Sequence, residues 1–154
     1  MPTANTSRSK PRPTSTAPAL QLVGAIADLT VLDVADLPRY KRAVTAGAQI
    51  GWGYYFPGLF ALVRPGKSAI LVTEDEGSMC VFRWRQGESR PRLDLLLAPT
   101  PMNVAVLGRC LERANDFNGD RSARVLRVDE KDAAVATVPG LKVEPRKPQF
   151  LFSP

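Results

Sequence analysis

Three short apolar runs separated by turn residues constrain the fold of this chain more than any other feature. The runs are Ser68–Thr73, Met79–Trp84 and Arg92–Leu97, joined by residues 74–78 and 85–91. Short segments rich in β-branched and aromatic residues, bounded by Gly, Pro, Asp and Ser, are typical of strands. Connections of this length suit hairpins. The sequence therefore predicts an antiparallel meander.

A strand and a helix are predicted before the meander. The aliphatic and β-branched run Leu29–Val34 suits a strand, and the helix runs from about Leu37 to Ala46, with Asp36 suited to the N-cap and Gly47 to the end. Apolar residues at i, i+3 and i+7 lie on one face of this helix: Leu37, Tyr40 and Val44.

The longest predicted helix follows the meander, from about Met102 to Phe117. Thr100 suits its N-cap and Pro101 its first position, and Asn118–Gly119 marks its end. Its apolar stripe comprises Val104, Leu107, Leu111 and Ala114, with Cys110 at the border. That position favours a structural thiol over a reactive one.

The remaining elements are predicted from shorter patterns. Residues 124–128 suit a strand, Asp129 can cap a helix over about residues 130–138, and Gln149–Phe152 suits a last strand. Five aromatic residues between Trp52 and Phe60 predict a loop and a short buried helix. Base rates favour core packing for these aromatics. The alternative is a ligand groove in which Tyr54 and Tyr55 offer hydroxyls.

Composition excludes several kinds of chemistry. The chain has no histidine, which removes Ser-His-Asp and Cys-His catalysis and histidine-ligated zinc. Its two cysteines, Cys80 and Cys110, form no C-x-x-C pair. The carboxylates of residues 74–76 are expected to be solvated in a hairpin turn, so no metal site is predicted. No uninterrupted apolar run reaches the roughly 18 residues of a membrane span, and integral membrane association is not expected.

Residues 1–18 form a basic tail rich in Pro, Ser and Thr, ahead of a single domain over residues 19–154. The chain carries a net charge of +6, of which Arg8, Lys10 and Arg12 supply three in a segment without acidic residues. Such a composition predicts disorder. A weaker alternative is an export signal ending near Ala25-x-Ala27, whereas a cytoplasmic location is the main prediction. The tail also allows attraction to nucleic acid.

A nucleic-acid surface is a second functional hypothesis, since basic residues alternate along and beyond the second run of the meander. Arg83 and Arg85 flank Trp84, a pattern that suits phosphate contacts and base stacking. The solvated face of a strand is the alternative. The candidate contacts are Arg83, Arg85, Arg90 and Arg92.

The predicted order is strand, helix, helix, three strands, long helix, strand, helix and two strands. Over residues 29–153 this order resembles the Gcn5-related acetyltransferase (GNAT) fold. The segments YYFPGLFAL, LLLAPTPM, RANDFNG, RVLRVDEKDA and PQFLFSP are similar to the N-terminal lobe of uncharacterised bacterial proteins related to the phosphatidylglycerol lysyltransferase C-terminal domain. The resemblance implies an α/β (α+β) fold with a mixed, mostly antiparallel sheet flanked by helices, and acyl-CoA or aminoacyl-tRNA as donor.

The resemblance also locates a departure from the family pattern. In the GNAT fold a Q/R-x-x-G-x-G/A loop leads into the long helix, whose N-terminal N–H groups hold a pyrophosphate. Here residues 98–103 read Ala-Pro-Thr-Pro-Met-Asn, where two prolines delete N–H donors and no glycine permits close approach. A donor, if held, would contact Thr100, Met102 and Asn103, with Tyr54 and Tyr55 as the first catalytic candidates.

The sequence thus predicts a degenerate or partner-dependent lobe that acts as a scaffold or recognition module and holds no cofactor in the usual manner. The resemblance implies tandem lobes, in which a second lobe does most of the donor binding. The expected partners are such a lobe or a second copy of this chain. A self-associating module is a third hypothesis, with the strand predicted over Gln149–Phe152 as the pairing edge.

Overall fold

A four-stranded antiparallel sheet organises the part of the chain that the computed structural model describes, residues 26–49, 51, 54–133, 137–142 and 144. The strands are adjacent in chain order: β1 Thr30–Val31, β2 Ser68–Asp75, β3 Ser78–Gln86 and β4 Pro91–Thr100. The helices are α1 Leu37–Ala46, α2 Phe56–Phe60, α3 Val104–Asn118 and α4 Glu130–Ala133. This α+β architecture confirms the predicted fold class at that level.

The predicted meander is confirmed, with strands longer than their apolar cores. Antiparallel pairing of β2 with β3 runs from Ser68 opposite Arg85 to Asp75 opposite Ser78. Only Glu76 and Gly77 remain for the turn, and their φ angles of 47° and 77° are those that a two-residue hairpin of type I′ requires. Strand β4 continues to Thr100, which pairs with Met79.

The two faces of the sheet bury separate apolar clusters, because neighbouring residues of a strand point to opposite faces. On one face α3 packs over Cys80, Phe82 and Trp84 of β3. On the other face α1 and α2 pack over Met79 and Val81. Both clusters consist largely of residues less than a tenth exposed. The sheet therefore lies between helical layers.

The start of the domain differs from the prediction of a strand over Leu29–Val34. Strand β1 has only two residues, because at Asp33 the chain turns into a 3₁₀ turn, Val34–Asp36. Asp33 Oδ1 accepts from the Ala35 N–H at 2.9 Å, and Asp36 Oδ2 accepts from the Asp33 N–H at 2.8 Å. Helix α1 has the predicted bounds, but the Asp36 carboxylate closes this capping box instead of capping α1.

The start of α3 was predicted wrongly. Thr100 is the last residue of β4, only 3% exposed, and its hydroxyl donates to the Ala98 carbonyl at 3.0 Å. The N-cap is Asn103, and Pro101 lies before the helix, joined to Thr100 by a cis peptide bond. The end of α3 is as predicted, with Gly119 in the left-handed conformation that suits the residue after a helix.

The segment after α3 lies beside β4. Val125 forms a parallel bridge with Leu95, and Leu95 hydrogen-bonds through its backbone to Arg124 and Leu126. The predicted strand over residues 124–128 is thus a short parallel pairing. The predicted tail, residues 1–18, and the strand predicted over Gln149–Phe152 lie outside the described residues. Among the described helices, none has the length and apolarity needed to cross a membrane.

Candidate functional site

Five basic side chains line one groove on the sheet face that carries α1 and α2. Arg83 and Arg85 are two residues apart on β3 and therefore share this face, and Arg85 lies opposite Ser68 of β2 and Arg92 of β4. The groove has a volume of about 260 Å³. Its basic residues are Arg64, Lys67, Arg83, Arg85 and Arg92, and this set is called the arginine groove below.

A single buried carboxylate helps to position the arginines. Asp94 lies opposite Arg83 in the β3–β4 pair and is only 1% exposed. Its Oδ2 accepts from Arg85 Nη2 at 2.8 Å, and its Oδ1 accepts from the Arg124 N–H at 3.2 Å. Both oxygens of Asp94 are therefore used, while the guanidinium of Arg83 has no ion-pair partner among the described residues.

The electrostatics of the arginine groove favour an anion. Burial, followed by the like charges of Arg85 and Arg64, lowers the pKa of Arg83 below its usual range. The Nε atoms of Arg83 and Arg85 are also buried without a hydrogen-bond partner in the described structure. Buried donors are normally paired, so these Nε atoms are unused donors of the groove. Arg83 also lacks an ion-pair partner in the described part of the chain, whereas Arg85 pairs with Asp94 at 2.8 Å and Arg92 with Asp120 at 3.6 Å.

The structure brings together three of the four arginines predicted to contact nucleic acid. Arg83, Arg85 and Arg92 line the groove, and Arg92 also donates to Ser122 and lies 3.6 Å from the Asp120 carboxylate. Arg90 does not line the groove and forms an ion pair with Asp120, at 2.5 Å. Arg64 and Lys67 were missed. Their position in the sequence could have indicated this role. Both lie in the turn of residues 64–67 immediately before β2, and Ser68, the first residue of β2, pairs with Arg85.

Trp84 does not serve the groove as a stacking platform. Its side chain lies on the opposite face of the sheet, 8% exposed, in the cluster under α3. Cys80 and Cys110 lie in that same cluster and are both buried. The hydrogen bond between the two thiols and burial raise the pKa of Cys80. These positions agree with the structural role predicted for Cys110.

The two tyrosines predicted as catalytic candidates have opposite environments. Tyr54 is 7% exposed, whereas Tyr55 is 55% exposed. Burial, and then the charges of Asp129 and Asp132, raise the pKa of Tyr54 above its usual value. Neither tyrosine lines the arginine groove.

Contacts within the chain involve all three residues predicted at the donor site. Thr100 is buried in β4, and Met102 packs against the cluster under α3. Asn103 Oδ1 accepts from the N–H groups of Ala105 and Val106 at 3.0 and 3.2 Å. Two of the N–H groups that could hold a pyrophosphate at this helix start are thus engaged by the side chain of Asn103.

A metal centre has no support in the described part of the chain, where no three His, Cys, Asp or Glu side chains are grouped for a metal ion. Comparison with protein-family models, curated proteins and solved structures gives no match. What the protein can bind is therefore inferred from the geometry and charge of its own residues.

Proposed function

We propose that the protein is a recognition module that binds the phosphate backbone of nucleic acid in the arginine groove. The observation that carries this proposal is the convergence of Arg83, Arg85 and Arg92 from two paired strands, with Nε donors of two of them buried and unpaired. A guanidinium presents donors in a planar fork that matches two oxygens of a phosphate.

The charge of the whole chain further supports a nucleic acid as the ligand. The whole chain carries a net charge of +6, and its acid-free tail, residues 1–18, contributes three of these charges, which favours association with a polyanion. The groove lining contains no aromatic side chain. Binding is therefore expected through phosphates and with little dependence on base sequence.

Fluorescence anisotropy with labelled single-stranded and duplex oligonucleotides at several salt concentrations tests this proposal. Affinity should fall steeply with salt. The double variant Arg83→Gln/Arg85→Gln should bind about tenfold more weakly, and its salt slope should fall by about two, because each lost phosphate contact removes roughly 0.9. Substituting Arg8, Lys10 and Arg12 by Gln in the full chain measures the contribution of the tail.

The matched control is Lys41→Gln/Arg42→Gln, which removes the same charge from two exposed residues of α1. Glutamine has a helix propensity close to that of lysine and arginine, so the helix should be retained. This control should change affinity much less than the groove variant. Equal losses of affinity in both variants would show general attraction to a basic surface. Absence of oligonucleotide binding by the unmodified protein would contradict the proposal.

We also propose that the recognition module is built on an acyltransferase-like lobe that works in the cytoplasm. The described order of strand, two helices, antiparallel meander and long helix supports this fold, as does the parallel pairing of Val125 with Leu95. The capping of Ala105 and Val106 by Asn103 favours a lobe without an acyl-CoA site of its own, dependent on a second lobe or a second copy.

Isothermal titration calorimetry with acetyl-CoA and with aminoacyl-tRNA separates the scaffold from an enzyme. No heat of binding is expected for acetyl-CoA. Specific micromolar binding of acetyl-CoA would contradict a lobe that lacks a donor site. Light scattering of the same sample gives the solution mass, and a mass above that of one chain would support pairing with a second copy.

A further inference from the structure

A group of polar side chains, three buried and one half-buried, lies away from the arginine groove, where the end of α1, the residue pair before α2 and the start of α4 meet. Gln49 Nε2 donates to Asp132 Oδ2 at 2.6 Å, and the charges of Asp129 and Asp132 act on the Tyr54 hydroxyl. Gln49 and Tyr54 are each 7% exposed, and Asp132 is 9% exposed. These four residues, Gln49, Tyr54, Asp129 and Asp132, are called the polar cluster.

Three atoms of the polar cluster have no hydrogen-bond partner: Gln49 Oε1, the Tyr54 hydroxyl and Asp129 Oδ2. The Asp129 backbone N–H lies close enough to the Tyr54 oxygen to lower the pKa of Tyr54, against the larger opposing effects of burial and of the two carboxylates. Two of the three atoms can only accept hydrogen bonds. Since buried polar atoms are normally paired, the cluster requires donors from outside it.

The backbone beside the cluster adopts a conformation that is unfavourable for its residue. Ala48 has a φ angle of 49°, in the left-handed region that disfavours residues with a Cβ. This turn brings the Gln49 N–H to the Val44 carbonyl at 3.0 Å and its side chain to Asp132. Together with the Ala48 N–H, which donates to the Thr45 carbonyl at 3.0 Å, this hydrogen bond forms the Schellman motif that ends α1 and fixes the position of Gln49.

We infer that the polar cluster binds a primary ammonium group, either as a free small ion or as the end of a larger amine. Such a group supplies three N–H donors for the three open atoms and carries a positive charge beside two carboxylates. A quaternary ammonium or a potassium ion has the charge but no donor. The nearby ammonium of Lys131 donates to the Gly47 carbonyl, and Lys131 is exposed.

Titration of the full-length protein with methylammonium chloride, followed by ¹H–¹⁵N correlation spectra, tests this inference. Saturable shifts are expected at residues of the polar cluster. Tetramethylammonium chloride and potassium chloride at equal ionic strength should produce no saturable shift there. Ammonium chloride and n-butylamine hydrochloride then distinguish a free ion from the end of an alkyl amine by which of the two binds more tightly.

Tyr54→Phe removes only the unpaired hydroxyl, so the fold should be kept and the melting temperature should not fall. The affinity for methylammonium should fall about tenfold, because a charge-assisted hydrogen bond is lost. Tyr55→Phe, the same change at the exposed neighbouring residue, is the matched control and should bind as the unmodified protein does. Equal shifts with tetramethylammonium, no saturable shift with methylammonium, or unchanged binding by Tyr54→Phe would each overturn the inference.

Discussion

Asn118, the last residue of α3, offers the sharpest test of what holds the helix to the sheet. It is 1% exposed, and its side-chain amide forms hydrogen bonds with both the backbone N–H and the backbone carbonyl of Leu93 in β4. Asn118 Nδ2 donates to the Leu93 carbonyl at 2.9 Å, and Asn118 Oδ1 accepts from the Leu93 N–H at 2.8 Å. The amide thus makes the two hydrogen bonds that a neighbouring strand would otherwise make with Leu93. In Asn118→Ala, both groups of Leu93, itself fully buried, would lose their partners.

The expected cost follows from these two contacts. A buried backbone group without a partner costs about 1–3 kcal/mol, so two groups give about 2–6 kcal/mol. The higher helix propensity of alanine offsets a few tenths of a kcal/mol. We therefore expect Asn118→Ala to lower the free energy of unfolding by about 3 kcal/mol, a large share of the roughly 5–15 kcal/mol typical of domains.

Urea unfolding followed by far-UV circular dichroism measures this difference. Asn115→Ala is the matched control, because Asn115 makes the same kind of bond from a half-buried position, with Oδ1 accepting from the Ala123 N–H at 3.0 Å. Its loss should cost about 1 kcal/mol. Equal losses of unfolding free energy in both variants, or a loss below about 1 kcal/mol in Asn118→Ala, would show that the two hydrogen bonds to Leu93 do not hold α3 to the sheet.

Two other perturbations test local features of the fold. Ala48→Gly should raise the melting temperature, with a gain of about 0.5 kcal/mol, because relief of the left-handed conformation, roughly 1–2 kcal/mol, outweighs the added entropy of the unfolded glycine; a lower melting temperature would contradict this. The hydrogen bond from Arg109 lowers the pKa of Asp75 below 3.8, so its contribution to stability is present at neutral pH and is lost as the pH falls from about 3.8 through that lowered pKa. In Arg109→Gln, a ¹³C NMR titration should show the Asp75 pKa rising towards 3.8, and an unchanged pKa would show that Arg109 is not the cause.

Local patterns predicted the elements whose formation depends on neighbouring residues in the sequence. Helix α1 has the predicted bounds because its apolar spacing and Gly47 act locally. The start of α3 could not be predicted in this way. Thr100 followed by Pro101 is a good local helix start. Thr100 nevertheless pairs with Met79 in the sheet, and because of this long-range pairing β4 extends to the residue that was predicted as the N-cap. Strand pairing across the sheet thus overrides the local preference.

For the candidate sites too, the sequence predicted what depends on local patterns and did not predict what depends on long-range contacts. Alternation along one strand placed Arg83 and Arg85 on a common face, whereas Arg64 and Lys67 join them only once the register of β2 against β3 is known. The polar cluster was beyond sequence reasoning, since the bond between Gln49 and Asp132 joins residues 83 positions apart. No periodicity or motif connects residues at that separation.

The position of the arginine groove follows from a change from apolar to basic side chains along one face of β3. On the face that carries α1 and α2, this strand is apolar at Met79 and Val81 and basic at Arg83 and Arg85. Helices can cover the apolar half at a gain in free energy, but covering the basic half would bury guanidinium groups with one carboxylate, Asp94, to compensate them. The helical layer therefore ends where the arginines begin. A ligand that brings its own negative charge is the kind of partner that can cover the remaining half without that cost.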